Sequence, residues 1–140
     1  MAKILVVEDS PTFVAMLRNA LEDRGFDIQA THDALSTFAL IDDYQPDLIM
    51  LDIGLPGGVD GIQLCSAIRM TSTTAKTPII MLTGSRNRVN IKLSETLGAN
   101  EYLTKPVDFP KLYAAIDRCL QPDDTTISGN SHENLADLMY

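Results

Sequence analysis

The sequence predicts an α/β domain, a doubly wound sheet of five parallel strands with helices on both faces. Three observations carry that prediction. Apolar runs of strand length recur at Ile4-Leu5-Val6-Val7, Asp47-Leu48-Ile49-Met50-Leu51 and Pro78-Ile79-Ile80-Met81-Leu82, and runs that do not alternate suit strands buried on both faces of a parallel sheet. Segments with helical apolar spacing separate them. Parallel neighbours need crossover helices, and these connect right-handedly, so the helices cover both faces of one sheet.

In chain order, Ile4 to Val7 is the first strand. Ser10-Pro11 then supplies an N-cap and a first-turn proline, Phe13, Leu17, Ala20 and Leu21 make the apolar stripe of the first helix, and Gly25 ends it. Asp27 to Thr31 is a weaker strand. The third strand ends at Leu51, and Leu64, Cys65 and Ile68 form the next stripe. The fourth ends at Leu82, Gly98 closes the helix after it, and Glu101 to Thr104 is a second weak strand. Leu112, Ala115, Ile116 and Cys119 line the last helix. The domain is expected to span 1–120. Residues 121–140 hold Asp123, Asp124, Glu133 and Asp137 with no base, and read as an acidic, poorly ordered tail.

Composition narrows the function. The chain has 140 residues, 11 Lys and Arg against 19 Asp and Glu, a net charge of -8 and 45% hydrophobic residues. That suits one domain with a real core and is too apolar for disorder. No apolar run approaches the roughly 18 to 20 residues of a membrane span, and no signal-peptide pattern opens the sequence, so a cytoplasmic protein is expected. Cys65 and Cys119 fit no zinc spacing and read as buried thiols. A pI near 4.5 argues against direct binding to nucleic acid, because nothing offsets phosphate repulsion. The expected partner is a protein or a cation.

In doubly wound sheets ligands bind outside the carboxyl ends of the strands. There this sequence places Glu8-Asp9 after the first strand, Asp52 after the third, Thr83-Gly84 after the fourth and Lys105-Pro106 after the fifth. Three carboxylates converging would repel one another unless a cation sits among them. Hard oxygen donors without neighbouring His or Cys point to Mg²⁺, which suits phosphoryl chemistry. Asp52 follows a wholly apolar run and is the candidate nucleophile. Lys105 would pair with it or with a phosphoryl oxygen, and Thr83 offers a hydroxyl donor.

Glu8-Asp9, Asp52, Leu55-Pro56, Asp60-Gly61, Thr83-Gly84, and Tyr102 three residues before Lys105-Pro106, in that order, resemble the receiver domains of two-component response regulators, the single-domain chemotaxis regulators among them. The resemblance implies a flavodoxin-like strand order of 2-1-3-4-5. It implies that Asp52 accepts phosphate from a sensor histidine kinase or a histidine phosphotransfer protein. Glu8, Asp9, Asp52 and the main-chain carbonyl of Gly54 would hold Mg²⁺, Lys105 would contact the acyl phosphate, and Thr83 with Tyr102 would form the switch. A cis Lys105-Pro106 bond is implied as well. The protein would then be a signalling element rather than an enzyme, acting through a downstream protein target as a monomer or weak dimer. A constitutive interaction module, or the receiver of a longer regulator with an output domain, is the alternative. A flavin-binding domain would need a hydroxyl-rich phosphate loop where this chain has two acids, and an aspartyl phosphohydrolase would more typically carry Asp-x-Asp after its first strand. Gly57-Gly58-Val59 makes the loop after Pro56 one residue longer than the commonest family spacing, which is expected to alter phosphate lifetime or a partner contact.

Taken singly these residues have blander readings: Glu8-Asp9-Ser10-Pro11 as a helix start, Asp52 as a turn, Lys105-Pro106 as a loop, Tyr102 as a half-buried strand residue. Their conjunction at successive strand ends favours the site. Arg86, Arg88 and Lys92 read as a solvated basic face of the fourth helix. His32 and His132 stand apart from the acids and receive no role. Leu135, Leu138 and Met139 have the spacing of a short docking helix, although a frayed terminus is the simpler reading.

Overall fold

The computed structural model describes residues 1–121. Five strand-helix pairs follow one another: β1 (Lys3–Val7), α1 (Pro11–Glu22), β2 (Asp27–Thr31), α2 (Ala34–Tyr44), β3 (Leu48–Leu51), α3 (Gly61–Met70), β4 (Ile79–Thr83), α4 (Arg88–Thr96), β5 (Glu101–Thr104) and α5 (Phe109–Leu120). The strands form one parallel sheet in the order β2-β1-β3-β4-β5, as expected. The tail expected over 121–140 lies, but for Gln121, outside the described residues, as do His132, Leu135, Leu138 and Met139.

Burial explains which strands the sequence marks clearly. Every residue of β3 and β4 is buried, and all of β1 except Lys3. The edge strands β2 and β5 keep partly exposed positions, so their apolar signal is diluted. Alternate strand residues point to opposite faces. Ile4, Val6, Met50, Ile80 and Leu82 pack with Val14, Leu17 and Leu21 of α1 and Leu112, Ala115 and Ile116 of α5. Leu5, Val7, Ile49, Leu51, Ile79 and Met81 pack with Ile41 of α2 and Leu64, Cys65 and Ile68 of α3. Burying a side chain such as Leu17 contributes about 1.5–3 kcal/mol. In contrast, α4 buries only Ser94.

Each described helix starts on a side chain that accepts a backbone N–H: Ser10, Asp33, Asp60, Asn87 and Asp108. Such caps contribute typically about 1 kcal/mol each. Arg69 closes the far end of the sheet. It donates to the carbonyls of Gly98 (3.0 Å), Thr74 (3.2 Å), Ala75 (3.4 Å) and Thr77 and to Asn100 Oδ1 (2.8 Å). Gly98, at φ +110°, lies against the Arg69 side chain, where a Cβ would come within 2.6 Å.

The chain winds one way from β1 to β2 and the other way through β3, β4 and β5. The reversal opens a crevice between the carboxyl ends of β1 and β3, where Glu8-Asp9 and Asp52 emerge.

Candidate functional site

Each principal residue stands one step past its strand and is still tied to it by the backbone. The Glu8 N–H donates to Thr31 O (3.0 Å), Asp52 N–H to Val7 O (3.1 Å) and Lys105 N–H to Thr83 O (2.8 Å). Such anchoring fixes the point at which each side chain leaves the rim. The start of α3 fixes Asp52 further. Gly61 N–H donates to Ile53 O at 2.8 Å, and a Cβ on Gly61 would fall 2.0 Å from the Asp52 carbonyl oxygen. Asp60 and Gln63 form a reciprocal capping box that orients this turn.

The sheet therefore brings the predicted acids together: Glu8, Asp9 and Asp52 each offer an oxygen within 4.8 Å of the others. Lys105 Nζ lies 2.8 Å from Glu8 Oε1 and 3.1 Å from Asp52 Oδ2. The same ammonium sits 4.2 Å from the ring centroid of Phe13, a cation–π contact that supports it from the α1 side. One ammonium thus bridges two of the three carboxylates.

Burial raises the pKa of Glu8 to about 7, with its hydrogen bonding and repulsion toward Asp52 adding to the rise and Lys105 opposing it. Burial pushes Asp52 up as well, but hydrogen bonding toward Glu8, Thr83 and Lys105 outweighs it and holds the carboxyl below its usual range. Desolvation would lower Lys105, yet its bonds to Glu8 and Asp52 raise it, so the ammonium persists. At neutral pH Asp52 is therefore the ionised carboxylate beside Lys105.

The donor set suits a small hard cation. Its side-chain donors are all carboxylates, and the buried Glu8 Oε2 has no hydrogen-bond partner among the described residues. An uncompensated buried carboxylate oxygen is costly, and a divalent ion with oxygen ligands would satisfy it. Gly54, two residues beyond Asp52, donates its N–H to Asp52 Oδ1 at 3.3 Å.

Thr83 is buried at the end of β4, and its Oγ1 accepts from the Ser85 N–H at 3.4 Å. The half-buried Tyr102 donates its hydroxyl to Ser85 O at 2.8 Å, and burial raises its pKa. Ser85 Oγ in turn accepts from Asn90 Nδ2 of α4 at 2.9 Å. One residue therefore links Thr83, Tyr102 and α4. Sequence reasoning passed over Ser85, since a serine after Thr-Gly carries no signal of its own, and it assigned Phe13 only to a helix stripe. The Lys105-Pro106 peptide is cis, as the resemblance implied.

Two expectations need correction. His32 is not remote from the acids: its Nδ1 lies 3.4 Å from the main-chain oxygen of Glu8, because β2 pairs with β1 in register and ends beside it. Arg86 is not on the fourth helix; it lies in the preceding loop, and its Nη2 reaches Lys105 O at 3.4 Å.

The geometry agrees with what known proteins show. The family model described as "Response regulator receiver domain" matches residues 4–117. The DNA-binding dual master transcriptional regulator RpaA of Synechocystis is 35% identical over 136 residues, covering 96% of this chain and 56% of that protein. The chain thus spans about half the length of the curated relatives it matches. Among solved structures, a response regulator from Chloroflexus aurantiacus superposes with a TM-score of 0.81 at 29% identity, covering 86% of this chain and 98% of that one. The BeF3-activated receiver domain of Klebsiella pneumoniae RstA does so with 0.79 at 31%, covering 86% and 99%. With five parallel strands in the order 2-1-3-4-5 and this acidic rim, the chain belongs to the response regulator receiver domain family.

Proposed function

We propose that the chain is a phosphorylation-dependent signalling receiver in which Asp52 accepts a phosphoryl group from a phosphohistidine on a kinase or phosphotransfer protein. The observation that carries this reading is the position of Lys105 Nζ, within 3.1 Å of Asp52 and 2.8 Å of Glu8, at a rim of three converging carboxylates. An Asp52 carboxylate oxygen attacks phosphorus, the P–N bond breaks with its electron pair going to the imidazole nitrogen, and an acyl phosphate results. Glu8, Asp9, Asp52 and the carbonyl of Gly54 are the residues that would hold Mg²⁺. Such an ion, when bound, neutralises the charge gathering on the phosphoryl oxygens.

Phosphorylation adds roughly -1.5 to -2 of charge beside Lys105. Lys105, already shared between two carboxylates, turns to a phosphoryl oxygen, and the Thr83 hydroxyl turns toward another. That releases the Thr83–Ser85 contact, and with it the anchor that holds the Tyr102 hydroxyl and Asn90. The switch is a shift between two conformations, biased by contacts the phosphoryl group makes in only one of them. The surface of α4, β5 and α5 carries the change to a protein partner. The acidic charge of the chain supports a protein rather than DNA as the direct partner. Among the described residues no helix is long and apolar enough to cross a membrane, which is compatible with signalling in the cytoplasm.

The test is labelling with acetyl phosphate and Mg²⁺. The wild-type chain should take up one phosphoryl group and Asp52→Asn none, and undiminished labelling of that variant would remove Asp52 from the role.

A further inference from the structure

Helix α4 buries fewer residues than the other four described helices, Ser94 being its one buried residue. Its outer face forms an open groove of about 400 Å³ lined by Arg88, Val89, Lys92, Leu93 and Thr96. Val89 and Leu93 are 69% and 42% exposed and lie at i and i+4, beside Arg88 and Lys92 at the same spacing. A face that is apolar along its centre and basic along one side is suited to an acidic amphipathic segment. This chain contains one. In His132-Glu133-Asn134-Leu135-Ala136-Asp137-Leu138-Met139-Tyr140, the apolar residues Leu135, Leu138 and Met139 share the i, i+3, i+4 spacing, and Glu133 and Asp137 repeat the i, i+4 spacing of the two bases.

We propose that residues 133–140 dock in cis on the outer groove of α4, Leu135, Leu138 and Met139 covering Val89 and Leu93 while Glu133 and Asp137 face Arg88 and Lys92. Reach permits it. The chain leaves α5 at Leu120, and the dozen residues to His132 can extend about 40 Å, against a diameter of roughly 35 Å for a domain of this size. Charge selects the site. The other exposed apolar pair on a described helix, Leu35 and Phe38 of α2, shares its helix with Asp42 and Asp43, which would repel the segment. Docked there, the segment competes with any partner that reads α4, so it acts as a built-in inhibitor. That consequence rests on the reading of α4 as the output surface, whereas the docking itself does not.

The experiment uses the full 140-residue chain labelled with ¹⁵N and a nitroxide at Ser131→Cys. Cys65 is buried and Cys119 partly buried, and both are replaced by Ala so that Ser131→Cys carries the one thiol the label can reach. The amide signals of Val89, Leu93 and Thr96 should lose most of their intensity. The loss should vanish in Arg88→Glu/Lys92→Glu and return when Glu133→Lys/Asp137→Lys is added. Broadening that survives the first pair of changes, that centres on Leu35 and Phe38, or that is absent altogether would overturn the proposal. So would equal broadening when nitroxide-bearing chain without ¹⁵N is mixed with ¹⁵N chain lacking the nitroxide, which would mark a second copy as the occupant. Acetyl phosphate labelling of Asp52 is read separately, so failure of the docking and failure of the receiver reading are distinguishable.

Discussion

Replacing Glu8 by Gln tests how the acidic rim is balanced without metal. In the folded domain the Glu8 carboxyl titrates at about 7, against an ordinary value of 4.5. Between those pH values the folded state keeps a proton that the unfolded chain has lost, so stability falls as pH rises through that window. Each pH unit of difference corresponds to about 1.36 kcal/mol, which puts the full cost of ionising Glu8 on the order of 3 kcal/mol above pH 7. The amide introduced by Glu8→Gln has no proton to lose, so the variant should be indifferent to this window apart from groups that both proteins share. Asp52, held below its usual range in the wild type, titrates beneath the window there. Urea unfolding in EDTA at several values between pH 5 and 8, followed by far-UV circular dichroism because the chain has no Trp, gives the difference directly. The wild type should fall relative to Glu8→Gln as pH rises, and the variant should be the more stable of the two at pH 8. Adding Mg²⁺ at about a hundred times its dissociation constant should return about 2.7 kcal/mol to the wild type, and much less to the variant, which lacks that charge. Parallel stability profiles for the two proteins in EDTA would refute the claim that Glu8 is buried without enough compensation.

Other outcomes follow from the same geometry. Gly61→Ala forces a Cβ to within 2.0 Å of the Asp52 carbonyl oxygen, so it should cost about 1–3 kcal/mol and slow acetyl phosphate labelling, whereas Gly84→Ala, with open space around its Cβ, should stay within about 0.5 kcal/mol by urea unfolding. Arg69→Met strips the carbonyls of Thr74, Thr77 and Gly98 of their charged donor and should lower stability by on the order of 3 kcal/mol in the same assay, while leaving Mg²⁺-induced stabilisation in place. Deleting Gly57, one of two consecutive glycines with φ of 91° and 83°, should leave Mg²⁺ binding intact and change the half-life of the acyl phosphate or the affinity for a partner; an unchanged half-life and affinity would show that the extra residue is neutral.

The sequence revealed what depends on local pattern and withheld what depends on meeting in space. Three uninterrupted apolar runs sufficed for β1, β3 and β4, since a strand with two covered faces tolerates few polar residues. The edge strands β2 and β5 were weaker because they cover only part of their surface. The predicted site was legible for the same reason as the sheet: parallel strands deliver their carboxyl ends to one rim, so Glu8, Asp9, Asp52, Thr83 and Lys105 had to be neighbours once the strands were identified. The contacts that tune those residues were not legible. Phe13 reaches Lys105 from α1, Ser85 links Thr83 to Tyr102 and α4, and Gly61 presses against Asp52 across a loop. Each is ordinary where it stands in the chain, and its role comes from a neighbour on another element or from the turn of one loop. His32 shows the limit most clearly. Sequence distance separated it from the acids, and the register Val7↔Thr31 placed it beside Glu8. A parallel sheet fixes which strand ends meet, but the pairing register decides which side chains one residue beyond them touch, and a shift of one position would exchange His32 for Asp33 at the edge of the acidic rim.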